Sequence, residues 1–483
     1  MNMRITARVT VIIGALLLTA CGSFQVNPPL AKYDPSAGYR FDKLEQESHS
    51  DKLFVILVFS GGGTRAAALS YGVLEALRDT RIQWENRRIS LLDEIDVISS
   101  ISGGSFPAAY YALYGSRIFD EFPSGFLYKP IQSALLSSAL TPAGLLKLAG
   151  PSFGRGDLAA EFYDREVFGA GTYADVIARG QRPFVILNAT DMTTGTQFPF
   201  IQDRFDLLCS DLSGVSLGRA AAASSAYPGG LTPLTFKNYA GKCGYQQPDW
   251  VNLALKDRKS RVDVRRTARA QNRLSYTDTE QAPRSYIHLI DGGVADNIGL
   301  REPLTAIMSV DNSWSVLSRI NLEAVDKLVV IVVNAGTNPT VHRDKTPDVP
   351  GLVDTLTAAV DVPMGNYSFD TLEIFRKTVN EFNEPMRLIS ECKALALTKG
   401  AECALDIPAP HQIEFFPIEV AFEYIEAPSE RNWFKNLPTS LELPRETVDK
   451  LRTVGRQILS EDPEFKKLMQ VLNGCIATGG QKC

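Results

Sequence analysis

Two glycine-rich segments, each placed directly after an apolar run, constrain the fold of this chain more than any other feature. The sequence GGGTR at 61–65 follows the apolar run 53–59, and SISGG at 100–104 follows the apolar stretch 95–98. Continuous apolar runs are typical of strands buried on both faces, and glycine permits a sharp turn into the next helix. This alternation of strand and helix predicts an α/β fold with a mostly parallel sheet.

The first glycine segment has the composition of an anion-binding turn. Glycines at a helix N-terminus let backbone N–H groups point at a negative charge, which the helix dipole also favours. Gly61, Gly62 and Gly63 are therefore predicted to form an oxyanion hole. Arg65 follows in the first turn of the predicted helix, where it either steadies the loop, binds a phosphate group or forms a structural ion pair.

The second segment resembles a nucleophile elbow, in which a serine is exposed on a tight turn between strand and helix. Ser102 is the candidate nucleophile, and Gly103 and Gly104 leave room for the turn. Ser100 stands where glycine is usual, which the turn tolerates because serine is small. The alternative is a glycine-rich turn with incidental serines. Together the two segments predict acyl-transfer chemistry.

A serine nucleophile needs a base, and the chain offers few histidines for that role. Alternation along a strand points His288 away from Asp291. The other histidines lie in polar or proline-flanked segments: His49, His342 and His411. Asp291 is the better base, since it is the first polar residue after an apolar strand and Gly292 allows close backbone approach. The alternative for Asp291 is a turn or helix cap, a role that Asp296 fits better.

Composition sets the broad class. The 483 residues are 45% hydrophobic and 22% charged with a net charge of −5, as in an ordinary globular protein without the basic face of a nucleic-acid binder. No cysteine–histidine spacing indicates a metal site, and no cofactor is expected. Six cysteines beyond Cys21 suit disulfides in an exported protein, and 15 pairings are possible. Local pairs are favoured: 209–243, 392–403 and 475–483.

The N-terminus resembles a bacterial lipoprotein signal. Basic residues precede the apolar run 9–18, which ends in Leu-Thr-Ala-Cys-Gly with Cys21 at the position that is lipidated. Residues 1–20 are then a signal peptide and 21–50 a polar tether. The resemblance implies anchoring at the outer membrane of a Gram-negative cell, facing the periplasm, because Gly22 rather than aspartate follows the cysteine. A plain secretory signal is the alternative.

The order of the motifs resembles the patatin-like phospholipase family. GGGTR, SISGG and the DGG at 291–293 occur in the family's order, with further similarity at 188–195 and 221–229. The resemblance covers residues 51–310. It implies a three-layer α/β/α domain with a central, mostly parallel sheet, followed at 311–483 by a mixed, mainly helical C-terminal extension that completes or extends the domain.

The same resemblance implies a function. Ser102 and Asp291 are expected to act as a dyad that cleaves carboxylic esters of membrane phospholipids through an acyl-enzyme, with lipid as the partner and no nucleic acid. Two alternatives are an acyltransferase that uses the same dyad and a non-catalytic lipid-binding lipoprotein of the envelope. A dinucleotide fingerprint from Gly61 is disfavoured, because the acidic residue that it requires at the end of the second strand is missing.

Other parts of the chain give weaker predictions. Further strands are expected at 184–189, 285–290 and 327–333, with a strand pair at 413–424. The segment 256–273 carries eight basic residues against two acidic ones. It is interpreted equally well as a surface for anionic head groups and as a solvated loop or helix face.

Overall fold

The computed structural model describes residues 23–44, 49–257, 265, 268–269, 284–308, 324–337, 347–399 and 413–475. These residues form one sheet of eight strands and a separate two-stranded hairpin. The strands are β1 (Leu53–Phe59), β2 (Arg81–Trp84), β3 (Arg87–Ser90), β4 (Ile95–Ile101), β5 (Phe184–Asp191), β6 (Gln197–Pro199), β7 (Leu234–Lys237), β8 (Tyr286–Asp291), β9 (Lys327–Asn334) and β10 (Glu414–Ala421).

The sheet is mixed but mostly parallel. Its order is β10-β9-β1-β4-β5-β8-β7, with β6 paired to β5. The strands from β10 to β5 are parallel, whereas β6, β7 and β8 pair antiparallel. Every residue of β1, β4 and β5 is buried, so both faces of the central sheet are covered. The predicted α/β class is confirmed.

Helices connect and cover the strands. They are α1 (Gly63–Asp79), α2 (Ser105–Tyr114), α3 (Ile118–Phe122), α4 (Ile131–Ala139), α5 (Pro142–Leu148), α6 (Arg155–Glu166), α7 (Tyr173–Arg179), α8 (Gln202–Leu207), α9 (Leu217–Ser224), α10 (Asp249–Lys256), α11 (Gly293–Asp296), α12 (Arg301–Met308), α13 (Leu352–Lys399), α14 (Pro428–Lys435), α15 (Arg445–Glu461) and α16 (Pro463–Val471). Across the described ranges, no helix combines the length and the apolar character that a membrane crossing requires.

The C-terminal part completes the central sheet. β9 lies between β1 and β10 and pairs with β1 along all seven residues of that strand. α15 packs closely against α1, where a Cβ at Gly72 would overlap the backbone of Arg452. The strand pair predicted at 413–424 is wrong. A single strand, β10, pairs in parallel with β9 and is followed by a 3₁₀ turn, Phe422–Tyr424.

The segment predicted as a tether is packed onto the body over its described part. Tyr39 is buried, and its hydroxyl accepts from the Val185 amide and donates to the Val185 carbonyl. Asn27 is also buried and bonds to Ser210 and to the backbone of Lys237. These contacts fix the path of the chain from Ser23 onward.

Several predictions fall partly or wholly outside the described residues. The predicted disulfide Cys209–Cys243 is present, and Cys392 and Cys475 are also disulfide-bonded. Their predicted partners, Cys403 and Cys483, lie outside the description. The same holds for Cys21, for His342 and His411, and for most of the basic segment 256–273.

Candidate active site

Ser102 lies on a strained turn at the C-terminal end of β4. Its φ is +48°, in the left-handed region that non-glycine residues rarely occupy, and a 3₁₀ turn, Ser102–Gly104, leads into α2. The Ser102 amide donates to Ser224 Oγ at 2.9 Å, and Ser224 Oγ donates to the Asn188 carbonyl at 2.7 Å. Neighbouring elements therefore hold the turn in this conformation, as is common at functional sites.

Asp291 meets this serine from the opposite direction. It ends β8, which runs antiparallel to β5, so the last residue of β8 arrives beside the end of β4. Ser102 Oγ donates to Asp291 Oδ2 at 2.8 Å, and the Gly293 amide donates to Asp291 Oδ1 at 2.8 Å. Asp291 is only 2% exposed, whereas Ser102 is partly accessible.

Burial gives this carboxyl a raised affinity for protons. Removal from water raises the pKa of Asp291 to about 6 from the ordinary 3.8, and the hydrogen bonds from Gly293 and Ser102 oppose that rise. A carboxylate with such a pKa is ionised near neutral pH and more basic than an exposed aspartate. It is suited to accept a proton from a serine that touches it directly.

The glycine loop supplies two amides that remain available. In the described part of the chain, the Gly62 and Gly63 N–H groups donate no hydrogen bond. Their φ angles are +139° and +59°, which favour glycine. Gly61 differs, because its amide already donates to the Asn297 carbonyl at 3.0 Å. The prediction of Gly61 as an oxyanion donor is therefore corrected, and Gly62 and Gly63 remain the candidates.

Close backbone contacts bring the loop and the turn together. A Cβ on Gly103 would overlap the Gly63 carbonyl, so only glycine lets the two segments touch. A Cβ on Gly104 would lie 2.7 Å from the Cβ of Phe59, and one on Gly292 would overlap the Asn188 carbonyl. The three predicted supporting glycines thus lie where other backbone or a neighbouring strand approaches closely.

Arg65 acts as a brace between the glycine loop and the C-terminal part. Its guanidinium donates to the carbonyls of Ala335 (2.9 Å) and Leu437 (2.8 Å) and to Thr439 Oγ1 (3.2 Å). It is 3% exposed, and burial lowers its pKa to about 10, which leaves it charged near neutral pH. The sequence leaves three roles open for Arg65, and these hydrogen bonds support the one in which it holds the glycine loop in place. The Ser440 carbonyl adds a further contact by accepting from the Thr64 amide.

The remaining candidates have structural roles. His288 Nδ1 lies 3.0 Å from Thr235 Oγ1, and His49 Nδ1 lies 3.6 Å from Asp96 Oδ1. Asp296 accepts from the amides of Ile298 and Arg301 and so caps α12, as the sequence suggested. Within the ranges that the structure covers, no cluster of three potential metal ligands occurs.

The sequence and structure were compared with known proteins. The sequence matches the model of the family described as patatin-like phospholipase over residues 57–304, just over half of the chain. The chain belongs to the patatin-like phospholipase family. This is the same family as the one that the sequence motifs resemble. No curated protein sequence gives a significant match.

Solved structures with a similar fold include human GIVD cytosolic phospholipase A2, with a TM-score of 0.40 and 12% identity. The match covers 88% of this chain and 60% of the human chain, so this chain spans less than two thirds of the length of the human enzyme. The same human enzyme with methyl γ-linolenyl fluorophosphonate and terbium chloride has a TM-score of 0.33, 13% identity and coverage of 88% and 59%. VipD from Legionella pneumophila has a TM-score of 0.27, 10% identity and coverage of 93% and 71%.

The brace formed by Arg65 predicts a loss of stability in the Arg65→Lys variant of this patatin-like protein. Lysine cannot reach three separate acceptors as the guanidinium does, so we expect unfolding to become easier by about 2–3 kcal/mol. Denaturant unfolding followed by circular dichroism measures the change. Arg117→Lys is the control, because Arg117 is 60% exposed and makes surface contacts with Glu121 and the Tyr114 ring. Equal stability of the Arg65 variant and wild type would contradict the role.

Proposed function

We propose that this protein is a lipid acyl hydrolase of the phospholipase A type, with Ser102 as nucleophile and Asp291 as general base. The observation that carries the proposal is the 2.8 Å hydrogen bond from Ser102 Oγ to a buried carboxylate beside two available amides. A nucleophile, a directly bonded base and an oxyanion site together are the parts that acyl transfer needs. Family membership supports phospholipids as the substrate class.

In the first half of the reaction, Ser102 Oγ attacks the ester carbonyl carbon while its proton passes to Asp291 Oδ2. The amides of Gly62 and Gly63 hold the negative oxygen of the tetrahedral intermediate. Loss of one such donor costs about 10²–10³ in turnover in other acyl-transfer enzymes. Asp291 then returns the proton to the departing alcohol oxygen, which leaves an acyl group on Ser102.

In the second half, water replaces the alcohol. Asp291 takes a proton from water, the hydroxyl adds to the acyl carbon, and the fatty acid leaves as the proton returns to Ser102 Oγ. An acceptor alcohol in place of water would make the same dyad an acyltransferase. A lipid-binding lipoprotein without catalysis would need none of these groups.

We further propose that Cys21 carries a lipid anchor and that the protein resides at the outer membrane, facing the periplasm. The support is the Leu-Thr-Ala-Cys-Gly sequence after the apolar run, with glycine rather than aspartate after the cysteine. Several acyl chains on one residue bind a membrane much more firmly than a single chain.

The dyad predicts that Ser102→Ala and Asp291→Asn each lower fatty-acid release by about 10³-fold or more, because each removes a group that the chemical step requires. Release from phospholipid vesicles and from a short p-nitrophenyl ester is the measurement. Ser124→Ala and Asp120→Asn, both on exposed positions, are the matched controls and should leave release unchanged.

Several outcomes would contradict the proposal. Release that survives Ser102→Ala excludes this serine as the nucleophile. Acyl transfer to an added lipid alcohol, with little free fatty acid, identifies a transferase. No release from wild type on either ester favours the lipid-binding alternative.

The raised pKa of Asp291 predicts a pH profile. The base must be ionised, so kcat/KM on an uncharged ester should fall about tenfold per pH unit below pH 6 and level off above about pH 7. Circular dichroism at each pH separates titration from unfolding. A limb centred near pH 4, the range of an ordinary aspartate, would argue against a buried Asp291 as the base.

Lipidation of Cys21 predicts that labelled palmitate enters the wild-type chain and not the Cys21→Ser variant, because that thiol is the attachment point of the lipid. Ser23→Ala is the matched control and should keep the label. Density-gradient separation of envelope membranes reports the location. Label that persists in Cys21→Ser, or wild type in the inner-membrane fraction, would overturn the respective part of the proposal.

A further inference from the structure

The described N-terminus lies on the catalytic side of the sheet. β5 runs toward the edge that carries Ser102, and β8 is antiparallel to it with Leu289 opposite Asp191, the last residue of β5. Tyr286, three residues earlier in β8, therefore lies beyond that edge. The ring of Phe24 packs edge-on against Tyr286 with centroids 6.0 Å apart. The third residue after Cys21 is thus held on the side of the sheet that carries Ser102.

The first half of α13 approaches the same side. Tyr227 Oη donates to Asp361 Oδ1 at 2.7 Å, and the neighbouring Ala226 carbonyl accepts from the Asp291 amide. A Cβ on Gly293 would lie 2.5 Å from Met364 Cε. Farther along the helix, the Phe375 ring packs on Phe415 at the start of β10, the end of the sheet opposite to the site. The first turns of α13 therefore lie on the catalytic side.

Large apolar side chains are exposed at both of these places. We define the docking surface by six of the exposed apolar residues on the catalytic side: Val26 (52%), Met192 (51%), Tyr286 (47%), Leu352 (75%), Leu356 (59%) and Val362 (59%). Met192 belongs to the set because its amide donates to the His288 carbonyl in β8. Clustered exposure of this kind marks an interaction site.

The charges of the α13 part of this surface indicate which lipids suit it, whereas Lys237 and Arg284 lie beside Tyr286 and Arg284 is paired with Asp191. From residue 347 to residue 375 the chain carries five acidic residues and no basic one. Such a segment is repelled by anionic head groups and tolerated by zwitterionic ones. The exposed leucines at positions 352 and 356 lie one helical turn apart, so both can enter the same interface.

We propose that the docking surface rests on a bilayer of mainly zwitterionic phospholipid, so that the candidate site opens toward the membrane that supplies its substrate. This inference rests on the proposed function for the identity of the partner. Cys21 lies two residues before Ser23, a reach of about 7 Å, so a lipid on Cys21 would draw this same side to the bilayer. A surface elsewhere on the molecule would turn the site away from the lipid.

A dye that reports polarity tests the orientation without any turnover. The full-length protein with Ser102→Ala is reconstituted into phosphatidylcholine vesicles after NBD labelling of Leu356→Cys or of the control Leu253→Cys. Leu253 is 65% exposed on α10, outside the docking surface. We expect NBD emission to move to shorter wavelength at position 356 alone. Emission that stays as in water at 356, or that shifts only when envelope proteins are added, overturns docking on lipid.

Activity gives a second test. The double variant Leu352→Gln, Leu356→Gln should lose about tenfold or more in kcat/KM on phosphatidylcholine vesicles, because two apolar groups no longer enter the interface. Its rate on a soluble p-nitrophenyl ester should equal that of wild type, and Leu253→Gln should change neither rate. An unchanged vesicle rate, or an equal loss on both substrates, overturns the docking surface.

The two proposals fail in different ways. If the wild-type protein hydrolyses neither ester, the proposed function is wrong while the dye measurement still decides the orientation. If hydrolysis is lost in Ser102→Ala but the dye at position 356 remains in water, the enzyme assignment stands and the docking surface is wrong. Vesicles that contain phosphatidylglycerol should give a smaller NBD shift, and a larger one would contradict the zwitterionic preference.

Discussion

The hydrogen bond between Ser102 and Asp291 is the interaction on which the arrangement of the site depends. The serine ends a parallel strand and the aspartate ends an antiparallel one, so both arrive at the same edge from opposite directions. In a wholly parallel sheet, both residues would follow the C-terminal ends of their strands and would begin the connections that leave the sheet. Because β8 instead enters from beyond that edge, its last residue lies level with the end of β4, and the two side chains bond directly.

The glycine loop depends on parts of the chain that lie far apart in sequence. Arg65 ties it to Ala335 and Leu437, the Thr64 amide bonds to Ser440, and Gly61 is held by Asn297. These partners lie beyond β8 in sequence, and most lie outside the region that the family model matches. The amides of Gly62 and Gly63 are thus positioned by segments that follow β8 in the chain, not by the loop alone.

Sequence patterns were most informative where a physical requirement is local. The run 53–59 coincides with β1, and Ser102 and Asp291 stand out because each comes at the end of an apolar stretch; their catalytic roles stay predictions. Contacts between residues that are far apart in the sequence leave no such local pattern. No residue near Gly61 in the sequence indicates that the Gly61 amide donates to the Asn297 carbonyl. The sequence also predicts a strand pair at 413–424, where the structure has the single strand β10 in parallel pairing with β9. The hairpin β2–β3 is not among the strands that the sequence predicts, although Glu85 and Asn86 adopt the positive φ of a tight turn.

Burial of Asp291 has opposite effects on stability and on chemistry. Its pKa is about 6 in the fold against 3.8 in an unfolded chain, so this group favours folding below pH 3.8 and loses that contribution as the pH rises through 6. The free energy of unfolding is therefore about 3 kcal/mol lower near neutral pH, where Asp291 is ionised, than it would be with Asp291 neutral. The same shift makes the carboxylate a stronger base. The amide of Gly293 and the hydroxyl of Ser102 offset part of the cost, and the buried strands around β8 maintain a position that an isolated turn would not.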